Sequence, residues 1–319
     1  MTKTQPTCEN EKICIEDLFR SERINKSKDP YPYFYIDDFL PKHLFEKIKT
    51  QAADFVKSSP SVMHGNRRYV LSTSYKFKDF IKKSNIWSEF FSKISSQESF
   101  DKMIEILKEI DPEYVQNNLF SHKSSVKEVI SPEKHPFFSK ISKFKDIKLG
   151  FCSIKAIFAY LIRFIFRKIL MVLKVNTYLL FNSVPVQLLA DISLANDGYG
   201  REIHRDSDNR VVVFLFFMSD HAVSAEGGEL GIYSLKNHSQ DKSFPPQPLE
   251  NECLLKQSIK SKSNRLVVFL NSDEAYHDVK VMKGHTSSRL FIYGGFTSFG
   301  KSLLRHRQVL KTEYNHYLI

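Results

Sequence analysis

The sequence predicts a mainly β chain with flanking helices (α+β), its core a jelly roll (double-stranded β-helix) preceded by N-terminal helices. Three observations carry this. From residue 184 onward, short apolar runs alternate with turn signals: PVQLLADISLA (185–195), NDGYG (196–200), EGGEL (226–230) into LGIYSL, NRLVVFL (264–270) and SRLFIYGGF (288–296). The run Val211–Met218 is wholly apolar, which suits a central strand covered on both faces rather than one with a wet side. Before the β region, apolar residues recur at helical spacing.

Taken in order, residues 1–29 are polar and read as a tail with at most one short helix. Residues 30–120 supply strands and helices that support the core. PYPYFYIDDFLP (30–41) reads as an aromatic strand and a turn. Pro41 suits the first turn of a helix to about Lys57, with Leu44, Phe45, Ile48 and Phe55 on one side. RRYVLSTS (67–74) alternates like a strand, and Phe77 to about Leu107 has a helical pattern. Residues 121–183 form a basic linker and a basic amphipathic helix. Residues 184–300 are the jelly-roll core, and 301–319 read as a closing helix. Within the core, 236–263 is a long polar connection of the kind used for lids and binding loops.

A net charge of +11 on 319 residues raises anionic partners as a question, and a solubilising lysine surface answers it equally well. Cys8, Cys14, Cys152 and Cys253 are scattered without a CxxC, so neither a disulfide framework nor a zinc site is indicated. No basic-then-apolar signal peptide opens the chain, and the expected setting is cytoplasmic. Residues 153–175 place Arg163, Arg167 and Lys174 on one stripe of a helix whose apolar face is wide. Charges interrupt the run too often for a bilayer span. It reads either as peripheral contact with an anionic membrane surface or as a core-packing helix with a solvated stripe.

The chemistry centres on EIHRDSDNR (202–210). His204 and Asp206 are two residues apart, so in a strand they share a face and in a helix they do not. At the end of a strand they form a chelating pair, and His277 offers a third ligand. Between His277 and Arg289 lies the turn signal Lys283-Gly284, which would bring the two to one level on antiparallel segments. Arg289 sits in an otherwise apolar strand, and a buried guanidinium calls for a fixed anionic partner. Two histidines and a carboxylate leave about three metal positions open, the pattern of non-haem ferrous oxygenases. Structural zinc would be closed by four protein ligands. Catalytic zinc fits the ligands but explains neither Arg289 nor the strand pattern.

HRD…GGEL…NRLVVF…HDVKVMKGHTSSRLFIYGGF, over about 185–297, resembles the 2-oxoglutarate and iron(II)-dependent dioxygenase superfamily, and within it the prolyl 4-hydroxylase-like branch. PYFYIDDFLPKHLFEKI is similar to the lead-in strand and helix of bacterial members of that branch. The resemblance implies His204, Asp206 and His277 as the catalytic iron(II) ligands, with Arg289 pairing the distal carboxylate of 2-oxoglutarate. It implies hydroxylation of a C–H bond in a protein side chain or small molecule, with release of succinate and carbon dioxide; ascorbate is a candidate auxiliary reductant. Many prolyl hydroxylases carry lysine where Arg289 stands, so the resemblance does not extend to a proline substrate.

Tyr293, four residues past Arg289 on the same strand face, is placed to touch the cosubstrate, and Tyr199 to line the mouth. Gln187 and Ser193 lie on the strand before His204, from which the family often adds a polar side chain, without a sharp match. Asp208 and Arg210 read as an exposed pair, His221 and His285 as turn residues, and His64, Arg67 and Arg68 as near the entrance. The alternative from another class is a non-catalytic jelly-roll binding module. Nucleic-acid demethylation is disfavoured: resemblance to the DNA-dealkylating branch of these oxygenases would imply a second arginine six residues after the first, and that position here is Gly295.

Overall fold

The computed structural model describes residues 13–58, 62–63, 66–70, 74–118, 124–126, 184–207, 210–220, 226–236, 245–284 and 286–298. Strands are β1 (Ile24–Ser27), β2 (Tyr33–Ile36), β3 (Val62–Met63), β4 (Asn66–Val70), β5 (Ser124–Val126), β6 (Val184–Ala195), β7 (Arg201–His204), β8 (Arg210–Phe217), β9 (Leu230–Leu235), β10 (Cys253–Ile259), β11 (Arg265–Leu270), β12 (Tyr276–Val279) and β13 (Arg289–Ser298). Helices are α1 (Ile15–Leu18), α2 (Lys42–Lys57), α3 (Tyr75–Lys83), α4 (Asn85–Ile94), α5 (Gln97–Ile110) and α6 (Pro112–Asn118).

The strands form two sheets. The larger runs β1-β2-β11-β8-β13-β6-β4-β3, with β5 also paired to β6; the smaller runs β10-β9-β12-β7. Four central strands of the large sheet face the four of the small one, and their pairings are all antiparallel, the arrangement of a jelly roll.

The apolar run of β8 now has a physical account. Successive side chains of a strand point to opposite faces. Val213, Leu215 and Phe217 enter the core between the sheets with Val267, Phe269 and Ile232. Val212, Phe214 and Phe216 enter a second core with Ile48, Trp87 and Phe90 from the helices. Phe216 is fully buried there, its ring 5.6 Å from Phe39, 6.0 Å from Phe45 and 5.7 Å from Phe90. Both faces are dry, so no polar residue breaks the run.

The structure departs from the sequence reading in three places. Residues 13–29 are not a tail: Ile13, Ile15, Leu18 and Phe19 are buried, and β1 extends the large sheet beside β2. The helical pattern over 77–107 resolves into α3, α4 and α5. Ser74, Ser84 and Ser96 cap these helices by accepting from the backbone N–H of Phe77, Trp87 and Ser99. The connection 236–263 contains a strand, β10, at the edge of the small sheet. Its five central residues are exposed, Leu254 and Leu255 among them, so its apolar residues do not alternate with polar ones.

The basic helix expected at 153–175 and the closing helix at 301–319 lie outside the described residues. No helix among the described residues is long and apolar enough to cross a membrane.

Candidate metal centre and active site

β7 and β12 pair antiparallel with His204 opposite His277, bringing the imidazole centroids to 4.4 Å. The strand ends at His204, so Asp206 reaches the site from the following loop rather than from the strand itself. Arg205 leaves the ladder by donating its N–H to the Pro246 carbonyl at 3.0 Å. One ligand atom each from His204, Asp206 and His277 lies within 4.8 Å of the others, a spacing that suits one ion.

Each imidazole is oriented by the backbone. Nδ1–H of His204 donates to the Glu202 carbonyl at 2.8 Å, and Nδ1–H of His277 to the Ala275 carbonyl at 2.9 Å. Both Nε2 lone pairs therefore face the triad, and that of His277 is buried without a hydrogen-bond partner. Burial pushes the His204 imidazole down to about 3, helped by His277 and opposed by Asp206. Burial also lowers His277. Both rings are thus neutral at pH 7, the form that ligates a metal. Burial works to raise Asp206, but Arg210, the two histidines and Tyr293 together hold its carboxylate well below the usual range. Below the triad, Tyr31 is fully buried and donates its hydroxyl to the Tyr276 carbonyl at 2.9 Å, next to His277.

Tyr293 donates its hydroxyl to Asp206 Oδ1, so it props a carboxylate of the triad. Arg289, Phe291 and Tyr293 follow one face of β13, with Phe291 in the core between the sheets. His277 and Arg289 are not on paired strands: β12 belongs to the small sheet and β13 to the large one. The turn at Lys283-Gly284 therefore carries the chain across the sandwich instead of closing a hairpin. Arg289 is 3% exposed and donates from Nη1 to the Gly228 carbonyl. Its Nε and Nη2 are buried without a partner. Burial pushes the guanidinium down to about 10, and the rings of Phe291, Phe217 and Tyr199 lie 5.1, 5.7 and 5.8 Å from its Cζ.

Tyr199 is buried against Arg289 rather than at an open mouth. Ser193 is buried on β6, opposite Phe291; Gln187 is opposite Thr297, near the other end of the strand. Arg210 is not an exposed residue. Its side chain is 16% exposed, with Nη1 3.5 Å from Asp206 Oδ2 and Cζ 4.6 Å from the centre of the Tyr293 ring. A charged residue four places after HxD looks solvated in sequence because nothing there reveals the carboxylate it will meet. Arg68 forms an ion pair with Asp191 at 2.9 Å, while Arg67 is exposed and donates to the Lys57 carbonyl. Asp208, His64, His221 and His285 lie outside the described residues. The sequence reading also missed Arg201, whose Nη2 is 3.4 Å from His204 Nε2.

Residues 190–296 match the family model of the 2OG-Fe(II) oxygenase superfamily. This segment of the chain is a 2OG-Fe(II) oxygenase domain. Fe(II) and 2-oxoglutarate are that superfamily's metal and cosubstrate, and the dioxygenase assignment belongs to this segment, which holds His204, Asp206 and His277. The side chains fit them. Two neutral imidazoles and a carboxylate suit Fe(II) with positions left open. The two unpartnered donors of Arg289 form the fork that takes a carboxylate.

Among solved structures, the chain is similar to a prolyl-4-hydroxylase of Pseudomonas putida, with 12% identity, 86% of this chain and 96% of that chain covered, and a TM-score of 0.42. It is similar to a Trichoplax adhaerens prolyl hydroxylase in complex with a hypoxia inducible factor oxygen degradation domain peptide fragment (11%, 85% and 85%, TM-score 0.39). A prolyl 4-hydroxylase of Phytophthora capsici is a third (13%, 92% and 70%, TM-score 0.40). No curated protein matches the chain.

Proposed function

We propose that the oxygenase domain hydroxylates a C–H bond of a protein side chain or small molecule, with His204, Asp206 and His277 as the iron ligands and Arg289 as the anchor of 2-oxoglutarate. The overall conversion takes substrate, 2-oxoglutarate and dioxygen to hydroxylated substrate, succinate and carbon dioxide. One oxygen atom enters succinate and the other the product. The iron, when bound, supplies the activation of dioxygen that no side chain can provide.

The chain's own residues bind and orient. His204 and His277 stay neutral and present Nε2, because each Nδ1–H is fixed on a carbonyl. Asp206 stays ionised, and the Tyr293 hydroxyl limits its rotation. Arg289 receives the distal carboxylate on Nε and Nη2 while Nη1 remains on Gly228. Phe291, Phe217 and Tyr199 around that guanidinium exclude water, which strengthens the ion pair. Membership of the prolyl 4-hydroxylase-like branch is part of the same proposal and rests on the lead-in PYFYIDDFLPKHLFEKI and the HxD…H…R spacing.

The observation that carries this reading is the pairing of a buried three-ligand cluster with a buried arginine whose outer donors are unfilled. A succinate-release screen with iron and 2-oxoglutarate against peptide, sugar and lipid pools tests it, comparing wild type with His204→Ala and Arg289→Ala. Normal turnover by both variants would show the assigned roles to be wrong.

A further inference from the structure

Beside Asp206 and Tyr293, the domain carries more guanidinium groups than the metal and cosubstrate use. Arg68 on β4 lies opposite Ser193 of β6 and pairs with Asp191, the two side chains being 20% and 16% exposed. Arg210 lies over Tyr293 and beside Asp206, and its Nε is buried without a partner. Gly295 makes room for it: a Cβ there would come within 3.1 Å of Arg210 Cδ and 2.3 Å of the Val212 carbonyl. Arg201, half-buried on β7, is the third. All three act on the Asp191 carboxylate against the upward push of burial.

The charges do not close. Asp191 answers Arg68 and Asp206 answers Arg210, which leaves Arg201. Among the described residues Arg201 makes no ion pair, and its contact is with Nε2 of His204. That nitrogen has a single lone pair in the plane of the ring, the one a metal takes. Once it is on a metal, the Arg201 donor has lost its acceptor and stands next to the reaction centre with a full positive charge. A half-buried guanidinium in that position is matched best by an oxyanion, and 2-oxoglutarate is already matched to Arg289.

We propose that Arg201, backed by Arg68 and Arg210, receives an oxyanion of the primary substrate, so that the bond oxidised belongs to a small acid bearing a carboxylate or phosphate near the target carbon. A neutral prolyl peptide offers this guanidinium carbonyl acceptors but no opposite charge. The inference rests on the oxygenase reading above and goes beyond it by naming the substrate's chemical class.

The test uses the full chain loaded with Zn(II) as a redox-silent metal and saturated with 2-oxoglutarate. Calorimetry then follows the binding of short monocarboxylates, the matching phosphate monoesters, the matching amides and a proline-containing peptide capped at both ends so that it carries no carboxylate. The expected result is binding of one acid series and not of the amides or the peptide, and which series binds identifies the oxyanion. Arg201→Gln is expected to weaken that binding about tenfold or more, and Arg201→Lys to recover part of it. Separate titrations of Zn(II) and 2-oxoglutarate confirm that each variant is folded and loaded. Amides binding as well as acids, neither acid series binding, or Arg201→Gln leaving acid affinity intact would each overturn the proposal while the oxygenase reading stands. A wild-type chain that fails to bind 2-oxoglutarate would overturn both.

Discussion

His204 and His277 face each other in register on β7 and β12, and each fixes its Nδ1–H on the carbonyl two residues before it. Two different strands thus present their rings in the same way. The pair is set by backbone geometry before any ion arrives.

His277→Ala should therefore abolish tight metal binding without unfolding the protein. Loss of a residue merely behind a ligand commonly costs tenfold to a hundredfold in metal affinity, and loss of the ligand should exceed about a hundredfold. Titration with Mn(II), followed by electron paramagnetic resonance, measures it. Affinity within about tenfold of wild type would remove His277 from the ligand set.

Tyr293→Phe separates support of the carboxylate from contact with cosubstrate. The hydroxyl rests on Asp206, so its loss should weaken metal binding by about tenfold and leave the 2-oxoglutarate requirement of the loaded enzyme little changed. The reverse pattern, unchanged metal affinity with a raised cosubstrate requirement, would give Tyr293 to 2-oxoglutarate instead.

Arg289→Ala should keep metal and raise the 2-oxoglutarate concentration needed for half-maximal succinate formation by roughly tenfold to a hundredfold, the worth of a charge-assisted pair. Gly227→Ala should move the same constant from a distance. Gly227 has φ +74°, and a Cβ there would sit 1.8 Å from the Val281 carbonyl oxygen, so the turn must shift. The next residue, Gly228, holds Nη1 of Arg289. A wild-type cosubstrate dependence in a folded Gly227→Ala protein would show that this turn does not position the arginine.

Acid should destabilise the metal-free protein. Both imidazoles are held below the ordinary value of about 6.5, so below that pH the unfolded chain binds protons that the folded one declines. The resulting loss is at most about 1.4 kcal/mol per histidine for each pH unit. The melting temperature should fall between pH 7.5 and 5.5, and a His204→Gln, His277→Gln double variant should show a flatter profile. An equally steep profile in the double variant would place the titration elsewhere.

The features legible in the sequence were those with a one-dimensional signature. The all-apolar β8 announces burial on both faces, HxD at a strand end announces two side chains brought into one cluster, and Arg289 in an apolar strand announces a buried guanidinium. Features that depend on which strand neighbours which were hidden. A two-residue turn signal at Lys283-Gly284 looks the same whether it closes a hairpin or carries the chain between sheets. β10 is wet along most of its length, and CLLKQSI lacks the alternation that marks a strand. Arg210 and Arg201 look like surface charges until Asp206 and His204 are brought beside them.

The family segment 190–296 begins well after Tyr31, whose hydroxyl holds the carbonyl next to His277, and after β2, the neighbour of β11. Anyone trimming the gene to that segment would strip a flanking strand from the large sheet and a prop from beside the His277 ring. Such a fragment should leave β11 with an unpaired edge and aggregate, so a workable enzyme keeps Tyr31 and β2.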